Sequence, residues 1–233
     1  MPKTGKTTKV LILRLLMIPF CSEVSTMTAF QEFCQRWKGG CGSALCSVPG
    51  TRVVLCRGTV PCDVLFVGEA PGESENVKGL PFWGPAGKLL DQVIEQAWSM
   101  FYPHSSLTRY EAAAYRRIAK IPTYALTNLV CCIPRDEDSR KASEPDSDSI
   151  DCCRPRLEEF IELANPRLIV AVGKLAEDYL RPGFKHSVCF DRRRTALVSM
   201  VHPAAILRAN AAQQGLAVQR CVVTLQNAVE KLG

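Results

Sequence analysis

Three short segments carry polar side chains whose types suit catalysis or ligand binding. The segment "GEAPG" exposes Glu69 in a turn stiffened by proline, "LTNLV" contains Asn128, and "VHPAAILR" contains His202. An amide has both a donor and an acceptor and can read the carbonyl and N–H edge of a pyrimidine. A histidine can stabilise a developing negative charge. Taken singly, Asn128 also fits a turn and His202 a buried structural histidine, so their meaning depends on whether they converge.

The glycine-rich stretch "VGEAPGESENVKGLPFWGPAGKLLD", residues 67–91, leads directly into an apolar helical pattern. Bare backbone after a strand can approach a phosphate or a flat ligand. The spacing is neither G-x-G-x-x-G nor that of a Walker loop, which argues against a dinucleotide or phosphate site. Phe82 lies between Gly79 and Gly84, where a ring can serve as a stacking platform. The alternative is that Phe82 belongs to the hydrophobic core.

Twelve cysteines form the second chemically distinctive group. They include the neighbouring pairs Cys131–Cys132 and Cys152–Cys153 and the segment "CGSALC". Their grouping favours a metal site over the disulfide framework of a secreted protein. Zinc held by four thiolates is the simplest interpretation of the cysteines alone.

A mostly parallel sheet is predicted to position these segments. Four short apolar runs are predicted as strands, at residues 63–68, 123–130, 167–173 and 195–201, and helical patterns occupy residues 84–98, 106–120, 153–164, 174–180 and 218–232. Near-continuous apolar strands that alternate with helices are typical of an α/β fold with helices on both faces of the sheet. Ligands bind at the carboxyl ends of such strands. Because Glu69, Asn128 and His202 follow strand ends, we expect them to converge.

The composition is that of an ordinary globular domain, with 47% hydrophobic and 22% charged residues among 233. It excludes the collagen-like and disordered classes. The formal charge of +6 supports an acidic partner only weakly, because half of it lies in residues 1–26. We interpret residues 1–26 as a leader or disordered extension rather than a secretory signal, and residues 27–233 as one domain. The polar stretch 135–151 is predicted to be a surface loop.

The order of the motifs resembles that of the family 4 uracil-DNA glycosylases, the iron–sulfur branch of their superfamily. The matching segments are "VGEAPGESE", "GLPFWGPAGKLLD", "LTNLVCCIP", "CRPRLEEFIELANPRLIVAVG" and "HPAAILR", within residues 41–232. The resemblance implies a three-layer αβα sandwich with a central, mostly parallel four-stranded sheet. It also implies a base excision repair enzyme that hydrolyses the N-glycosidic bond of deoxyuridine in DNA and leaves an abasic site.

The resemblance implies a role for each pocket residue. Glu69, with the backbone at Gly68 and Ala70, would hold the attacking water. Phe82 would stack on the base.

Two further motifs would contact the base and the DNA. Asn128 would read uracil and His202 would lie beside uracil O2. After the histidine, Ile206, Leu207 or Arg208 would fill the gap left by the flipped base or grip a flanking phosphate.

The resemblance further implies a 4Fe–4S cluster with four cysteine ligands. The implied ligands are Cys41, Cys46, Cys132 and Cys153. The usual C-x-x-C of the first pair is replaced by "CGSALC", and Cys34 is an alternative ligand there. Cys131 and Cys152 fall out of register with the family pattern.

Two residues depart from the family pattern. Asn76 replaces a common acidic residue, which would weaken water activation, and Trp83 replaces a small aliphatic, which would reshape the pocket. The chain lacks the basic, histidine-bearing insertion that a crosslinking branch of the superfamily has soon after the glycine loop.

The expected partner is uracil-containing DNA, single- or double-stranded, bound by a basic surface that includes residues 192–194 and Arg208. We expect a cytoplasmic monomer with no membrane association. The alternatives are a non-catalytic iron–sulfur DNA-binding module, which would follow from a decayed site, and a nucleotide-handling enzyme that uses the same rim.

Overall fold

A computed structural model describes residues 27–101, 121–135, 142–183 and 187–232. The described strands are β1 (Arg57–Gly58), β2 (Val64–Gly68), β3 (Tyr124–Asn128), β4 (Leu168–Val172) and β5 (Ala196–Met200). The described helices are α1 (Ala29–Trp37), α2 (Ala44–Ser47), α3 (Glu73–Lys78), α4 (Pro85–Trp98), α5 (Ser147–Ala164), α6 (Lys174–Leu180), α7 (Pro203–Arg208) and α8 (Ala211–Glu230). The predicted α/β class is thus the observed one.

The sheet has five strands rather than the four predicted, in the order β1-β3-β2-β4-β5. The four long strands are the predicted ones and pair in parallel. The additional strand, β1, pairs antiparallel with β3 at one edge. It was missed because it has only two residues, one of them glycine, which is too short for a strand pattern.

Alternate residues of the strands face two separate hydrophobic clusters. Leu65 and Ile169 belong to a cluster with α1, α5 and α6, whereas Phe66 and Val170 belong to a cluster with α4, α7 and α8. Because side chains alternate across a strand, the two clusters lie on opposite faces of the sheet. Helices therefore cover both faces, which leaves the strand ends as the accessible edge for chemistry.

Helix α5 begins six residues before the predicted start at Cys153. The Asp146 side chain accepts a hydrogen bond from the Ser149 backbone N–H, and this cap starts the helix inside the stretch predicted to be a loop. The prediction that residues 135–151 form a surface loop is therefore wrong for residues 147–151. The predicted helix at 106–120 and the predicted leader at 1–26 lie outside the described residues. In the part of the chain that is described, no helix has the length and apolar character needed to cross a bilayer.

Candidate active site and thiol cluster

The strand ends enclose a cavity of about 380 Å³ at the carboxyl edge of the sheet. The predicted site residues that line it are Glu69, Ala70, Phe82, Asn128, His202 and Arg208. They come from the loop after β2, the loop before α4, the end of β3, and the β5–α7 segment with α7. The structure therefore brings together side chains that are separated by up to 139 positions in the sequence.

Gly68 lies beneath the cavity as the last residue of β2. It pairs with Asn128 across the parallel β2–β3 ladder. A Cβ atom at Gly68 would collide with Asn128 Oδ1 and would lie 2.5 Å from Phe82 Cζ. The absence of a side chain is thus what allows the amide and the ring to pack together over the strand end.

The Asn128 side chain is buried yet makes no hydrogen bond within the described part of the protein. It is 3% exposed. The adjoining backbone is fixed, because Leu129 N donates to Gly68 O at 2.9 Å and Val130 N donates to Glu69 O at 3.2 Å. Because Asn128 lines the cavity, a water molecule or a ligand there can satisfy its amide. The geometry therefore offers one donor and one acceptor to whatever enters the cavity.

His202 presents a neutral imidazole to the same cavity. Its Nδ1 accepts a hydrogen bond from Ala204 N at 3.2 Å, at the start of α7, so the ring proton resides on Nε2. Burial, with a smaller contribution from Arg208, lowers the pKa of His202 below its ordinary value. At neutral pH the ring is uncharged and Nε2–H is its hydrogen-bond donor.

Two neighbours, Gly173 and Phe82, lie close to His202. Gly173, which follows β4, has φ +100°, a conformation that favours glycine, and a Cβ atom there would lie 3.1 Å from His202 Cβ. The ring centroids of Phe82 and His202 are 6.4 Å apart with a 31° tilt. The end of β4 thus supports the site without lining it.

Glu69 is half-buried at the cavity wall. Burial, and secondarily the nearby Glu144 carboxylate, raises the pKa of Glu69. A carboxylate with a raised pKa is a better proton acceptor than one free in water. Its position next to Ala70 and Pro71, which also line the cavity, suits it to orient a water molecule.

The loop that carries Phe82 is held by Arg57, a residue that the sequence reasoning missed. Phe82 adopts a left-handed conformation, φ +54°, which is strained for an aromatic residue. Arg57 Nε donates to Pro81 O at 2.8 Å and its Nη2 donates to Phe82 O at 3.1 Å. The same Nη2 forms an ion pair with Asp91 Oδ1 at 2.7 Å. A strained residue persists only where its surroundings hold it in place, and Arg57 supplies that restraint.

A second missed residue, Glu75, closes the same loop from the other side. Its Oε1 accepts a hydrogen bond from Gly84 N at 2.9 Å, at the start of α4, and its side chain lines the cavity. The "ESE" sequence beside the glycine loop was the available signal. It did not distinguish Glu75 from Glu73, which forms an ion pair with Arg135 instead.

Neither departure from the family pattern lies in the cavity. Asn76 Oδ1 accepts from Arg52 N at 2.7 Å and its Nδ2 donates to Gly50 O at 3.0 Å, so the amide joins α3 to the preceding segment. Aspartate could not donate to Gly50 O. Trp83 is 46% exposed and the Lys78 ammonium lies 4.8 Å from its ring centroid. Neither Asn76 nor Trp83 lines the cavity, so the structure gives no basis for the expected effects on water activation and pocket shape.

The predicted basic surface is divided between two ends of the sheet. Arg208 is exposed at the end of α7 and lines the cavity. Residues 192–194 precede the five residues of β5, and a strand of this length spans about 17 Å. They lie at the opposite edge and are not part of the cavity rim.

Five cysteines gather at one side of β3 and α5. The shortest Sγ–Sγ distances join Cys41 to Cys153 (2.8 Å) and Cys46 to Cys132 (2.9 Å), and Cys41 and Cys46 are 3.7 Å apart. Cys131 Sγ lies 3.6 Å from Cys153 Sγ. All five cysteines are free thiols rather than disulfides. The four implied ligands are thus together, and Cys131 is a fifth sulfur among them.

The surroundings of the thiols suit a soft metal centre. Hydrogen bonds among these thiols move their pKa values in opposite directions: bonding by Cys131 and Cys153 lowers the pKa of Cys41, and bonding by Cys132 and Cys153 raises the pKa of Cys131. A Cβ atom at Gly40, φ +84°, would collide with Cys46 Sγ. Thiolate-only sites select zinc or iron–sulfur clusters.

The remaining cysteines near this site have other contacts. Cys152 Sγ donates to Cys41 O at 3.1 Å and so lies outside the ring of sulfurs. Cys34, the alternative ligand, is not part of either three-thiol group that the structure forms.

A third residue that the sequence reasoning missed is Arg156. It follows Cys153 by three positions on α5, which places the two on the same face of the helix. That spacing was the only signal, because an arginine in a charged helical pattern is normally exposed. Here it is fully buried.

Comparisons with known proteins find one matching family model and several similar curated proteins. The family model of the uracil DNA glycosylase superfamily matches residues 57–226. Among curated proteins, the chain is similar to the Type-4 uracil-DNA glycosylase of Sulfurisphaera tokodaii, with 31% identity over 130 residues that cover 56% of this chain and 48% of that protein. The Type-4 uracil-DNA glycosylase of Saccharolobus solfataricus is 32% identical over 134 residues, which cover 58% of this chain and 48% of that protein. The Type-4 uracil-DNA glycosylase of Thermotoga maritima is 28% identical over 165 residues, which cover 68% of this chain and 73% of that protein. The match spans about half the length of the first two relatives.

Proposed function

Because the chain belongs to the uracil DNA glycosylase superfamily, we propose that it hydrolyses the N-glycosidic bond of deoxyuridine in DNA and leaves an abasic site. The observation that carries the proposal is the unpartnered Asn128 amide, buried beside Gly68 and Phe82 in a cavity that His202 also lines. The names of its relatives, which are Type-4 uracil-DNA glycosylases, support the same reaction. Helices on both faces of the sheet support a three-layer αβα arrangement.

Recognition of uracil rests on Phe82 and Asn128. The base stacks on the Phe82 ring, while the Asn128 amide donates to uracil O4 and accepts from N3–H. Cytosine has an amine and a bare acceptor at these positions, so both hydrogen bonds would be mismatched. A buried mismatch costs about 1 to 3 kcal/mol per unpaired group. The amide is therefore the source of selectivity for uracil.

Bond cleavage rests on His202. As the glycosidic bond breaks, the base leaves as an anion while the sugar gains positive charge. The Nε2–H of the neutral ring donates to uracil O2, and this hydrogen bond strengthens as negative charge develops. The Ala204 N–H bond at Nδ1 keeps the proton on Nε2, where it is needed.

Hydration of the sugar rests on Glu69. Its carboxylate orients the attacking water and accepts a proton from it, and the adjoining backbone at Ala70 completes the wall. The water oxygen becomes the C1′ hydroxyl of the abasic sugar, and a proton is taken up by the departing base. DNA binding, stacking on Phe82 and the hydrogen-bond donor at O2 lower the activation barrier more than proton transfer to Glu69 does.

DNA contact rests on the exposed end of α7. Ile206 is 2% exposed and belongs to the core, whereas Leu207 is 42% exposed. We assign Leu207 to the gap left by the flipped base and Arg208 to a flanking phosphate.

The thiols fit a 4Fe–4S cluster with Cys41, Cys46, Cys132 and Cys153 as ligands. The fit rests on four sulfurs from three separate segments and on the bare Gly40 that leaves room for Cys46. When bound, the cluster supplies covalent links between the N-terminal segment, the loop after β3 and α5. Zinc is the competing occupant, because four thiolates also suit it.

Metal analysis of ligand variants tests this assignment. Anaerobically purified protein should contain iron and sulfide and absorb broadly near ~400 nm, as thiolate–iron charge transfer requires. Cys132→Ser and Cys153→Ser should lose the cluster, and Cys152→Ser, the matched neighbour, should retain it. Loss on Cys131→Ser equal to that on Cys132→Ser would place the fifth sulfur in the ligand set. Stoichiometric zinc without sulfide would overturn the cluster.

A quenched reaction on DNA tests the activity itself. The purified protein is incubated with an oligonucleotide that carries one uracil, alone or paired with guanine or adenine, and abasic sites are cleaved by alkali. Cleavage should occur at uracil only, with no product from identical strands that carry thymine or cytosine. Metal-loaded protein that leaves all uracil strands intact would contradict the proposed function.

A further inference from the structure

Arg156 carries a positive charge in the interior, and its hydrogen-bond partners among the described residues are all neutral oxygens. It is 0% exposed. Its Nη1 donates to Thr127 Oγ1 at 2.9 Å, and its Nη2 donates to Asn128 O at 2.7 Å and to Leu129 O at 2.8 Å. Its Nε has no hydrogen-bond partner in the described part of the protein. The guanidinium thus holds the backbone of the uracil-reading residue from behind.

A buried charge needs an opposite charge. None of the ion pairs formed by described residues includes Arg156. Moving an unpaired cation out of water costs several kcal/mol even after relaxation, so proteins bury charges in pairs or beside metal centres. Carbonyl dipoles offset only part of this cost. The position therefore calls for an anion nearby.

Cysteines of the thiol cluster lie close along the chain to Arg156 and to its carbonyl partners. Cys153 precedes it by three positions on α5, one helical turn away on the same face. Its carbonyl partner Leu129 is followed by Val130 and then by Cys131 and Cys132. Four thiolates around a metal carry net negative charge, which neutral thiols do not.

We propose that Arg156 is the internal counter-cation of the metal–thiolate centre and, through the carbonyls of Asn128 and Leu129, the positioning residue that ties this centre to the uracil-reading amide. The link to uracil rests on the proposed function; the link to the metal does not. One guanidinium can have both tasks because its Nη2 bonds the two carbonyls, while Cys153 lies one helical turn before it on the same face of α5. Loss of the metal would leave the guanidinium without its anion, and the backbone of Asn128 would lose its support.

Two substitutions separate the charge from the geometry. Arg156→Met removes the charge and keeps the volume, whereas Arg156→Lys keeps the charge and loses the fork that clasps two carbonyls. Arg154→Met is the matched control, because it removes an equal charge from the same helix at a partly exposed ion pair with Asp151. All three are made in the full chain with its metal.

The rate at which a chelator removes the metal tests the contribution of the Arg156 charge. Arg156→Met should release metal about 10-fold faster than the parent protein, since partners outside the ligand set typically contribute this much to affinity. Arg156→Lys and Arg154→Met should release it at the parental rate. The fall in Tm on metal removal should also be smaller in Arg156→Met, because the cation that the metal site balances is absent. Equal release from Arg156→Met and Arg154→Met would overturn the counter-cation.

Steady-state kinetics test whether the hydrogen bonds of Arg156 position Asn128. Arg156→Lys should keep its metal but lose kcat by about 10-fold or more with a smaller change in KM, since small misplacements of a positioned group cost this much. Full kcat in Arg156→Lys would overturn the positioning role. If Arg156→Met does not fold, the lysine variant decides both points: fast metal release from it overturns the charge assignment. If the parent protein cleaves no uracil, the proposed function fails while metal release still tests the counter-cation.

Discussion

At the scale of single residues, the candidate site consists of polar groups that the protein itself leaves unsatisfied. Asn128 offers a buried amide without a partner in the described structure, and His202 offers Nε2–H because its Nδ1 is occupied by Ala204 N. Neither side chain carries charge at neutral pH. Such groups bind a neutral base weakly and its developing anion strongly, which is what a leaving-group mechanism requires.

Removal of the His202 imidazole should impair chemistry rather than binding. We expect His202→Ala to lower the single-turnover rate by about 100-fold or more, because the donor at O2 strengthens as charge develops. Affinity for abasic-site DNA, measured by fluorescence anisotropy, should stay within about twofold of the parent protein. A variant that retains the full rate, or that loses affinity and rate in equal proportion, would make the histidine structural.

Replacement of the Asn128 amide by a carboxylate should abolish recognition of uracil at neutral pH. Asn128→Asp loses the donor to O4 and places a negative charge against that carbonyl, so we expect a loss of about 100-fold or more in kcat/KM. Asn210→Asp, the same change at the exposed N-cap of α8, is the control and should leave kcat/KM unaltered. Comparable losses in the two variants would remove Asn128 from its assigned role.

The acid side of the pH–rate profile should belong to Glu69. Its carboxylate form orients the water, so the rate should fall as pH falls through its pKa, which burial first and Glu144 second raise above the ordinary value. Glu144→Gln removes the like charge and should move this limb to lower pH, while Glu69→Gln should remove the limb. Glu73→Gln is the control, since Glu73 forms an ion pair with Arg135 instead. An unmoved limb in Glu144→Gln would contradict the assignment.

At the scale of elements, the site depends on how loops are held against the strand ends. Phe82 occupies a strained conformation between β2 and α4, and its carbonyl oxygen lies where Gly87 permits close approach. Arg57 lies on the edge strand β1 and donates hydrogen bonds to this loop, so the short strand that the sequence did not predict positions a residue that holds Phe82. Local sequence places the ring; a distant residue keeps it there.

Loss of the Arg57 contacts should loosen the stacking platform. We expect Arg57→Met to raise KM by about 10-fold, since stacking of one base on an aromatic ring contributes about 1 to 3 kcal/mol. Arg52→Met is the matched control, because Arg52 donates to Val77 O on α3 rather than to the Phe82 loop. In a Phe82→Ala background, Arg57→Met should have no further effect on KM. Additive effects in the double variant would mean that Arg57 acts elsewhere.

The elements that could be predicted were those with a local pattern. Apolar runs predicted four strands to within two residues at each end, and the residues at their carboxyl ends were chosen because parallel strands end at one edge. Arg57, Glu75 and Arg156 were not predictable in this way. Each contacts backbone groups that are 9 to 28 positions away, and no periodicity reports such contacts. The start of α5 was missed because Asp146 is one of several polar residues that fit either a loop or a cap.

The cysteines show the same limit. Resemblance to a family selected four ligands, and the structure gathers those four together with Cys131. Sequence register distinguishes Cys131 from Cys132, but the distances between their sulfurs and the others do not. The choice between four sulfurs among five therefore depends on metal analysis.

At the scale of the whole molecule, the two candidate centres both take residues from one short segment, residues 128–132. Asn128 opens into the cavity, and Cys131 and Cys132 belong to the thiol cluster. Arg156 bonds the carbonyls between them. Because the metal centre and the base-binding pocket share this stretch of backbone, loss of the metal should disturb the position of Asn128.

The distribution of basic residues over the molecule predicts how DNA affinity depends on salt. Arg208 lies at the cavity, whereas Arg193 lies beyond the far end of β5, about 17 Å away along the strand. Each phosphate that a side chain neutralises adds about one unit to the slope of log affinity against log salt. We therefore expect Arg208→Ala to reduce the slope by about one between roughly 50 and 200 mM salt, as measured by anisotropy on uracil-containing strands. Arg193→Ala removes the same charge and should leave the slope unchanged. If instead Arg193→Ala reduced the slope and Arg208→Ala did not, the DNA would lie along the opposite edge of the sheet, away from the cavity, and the proposed substrate could not reach it.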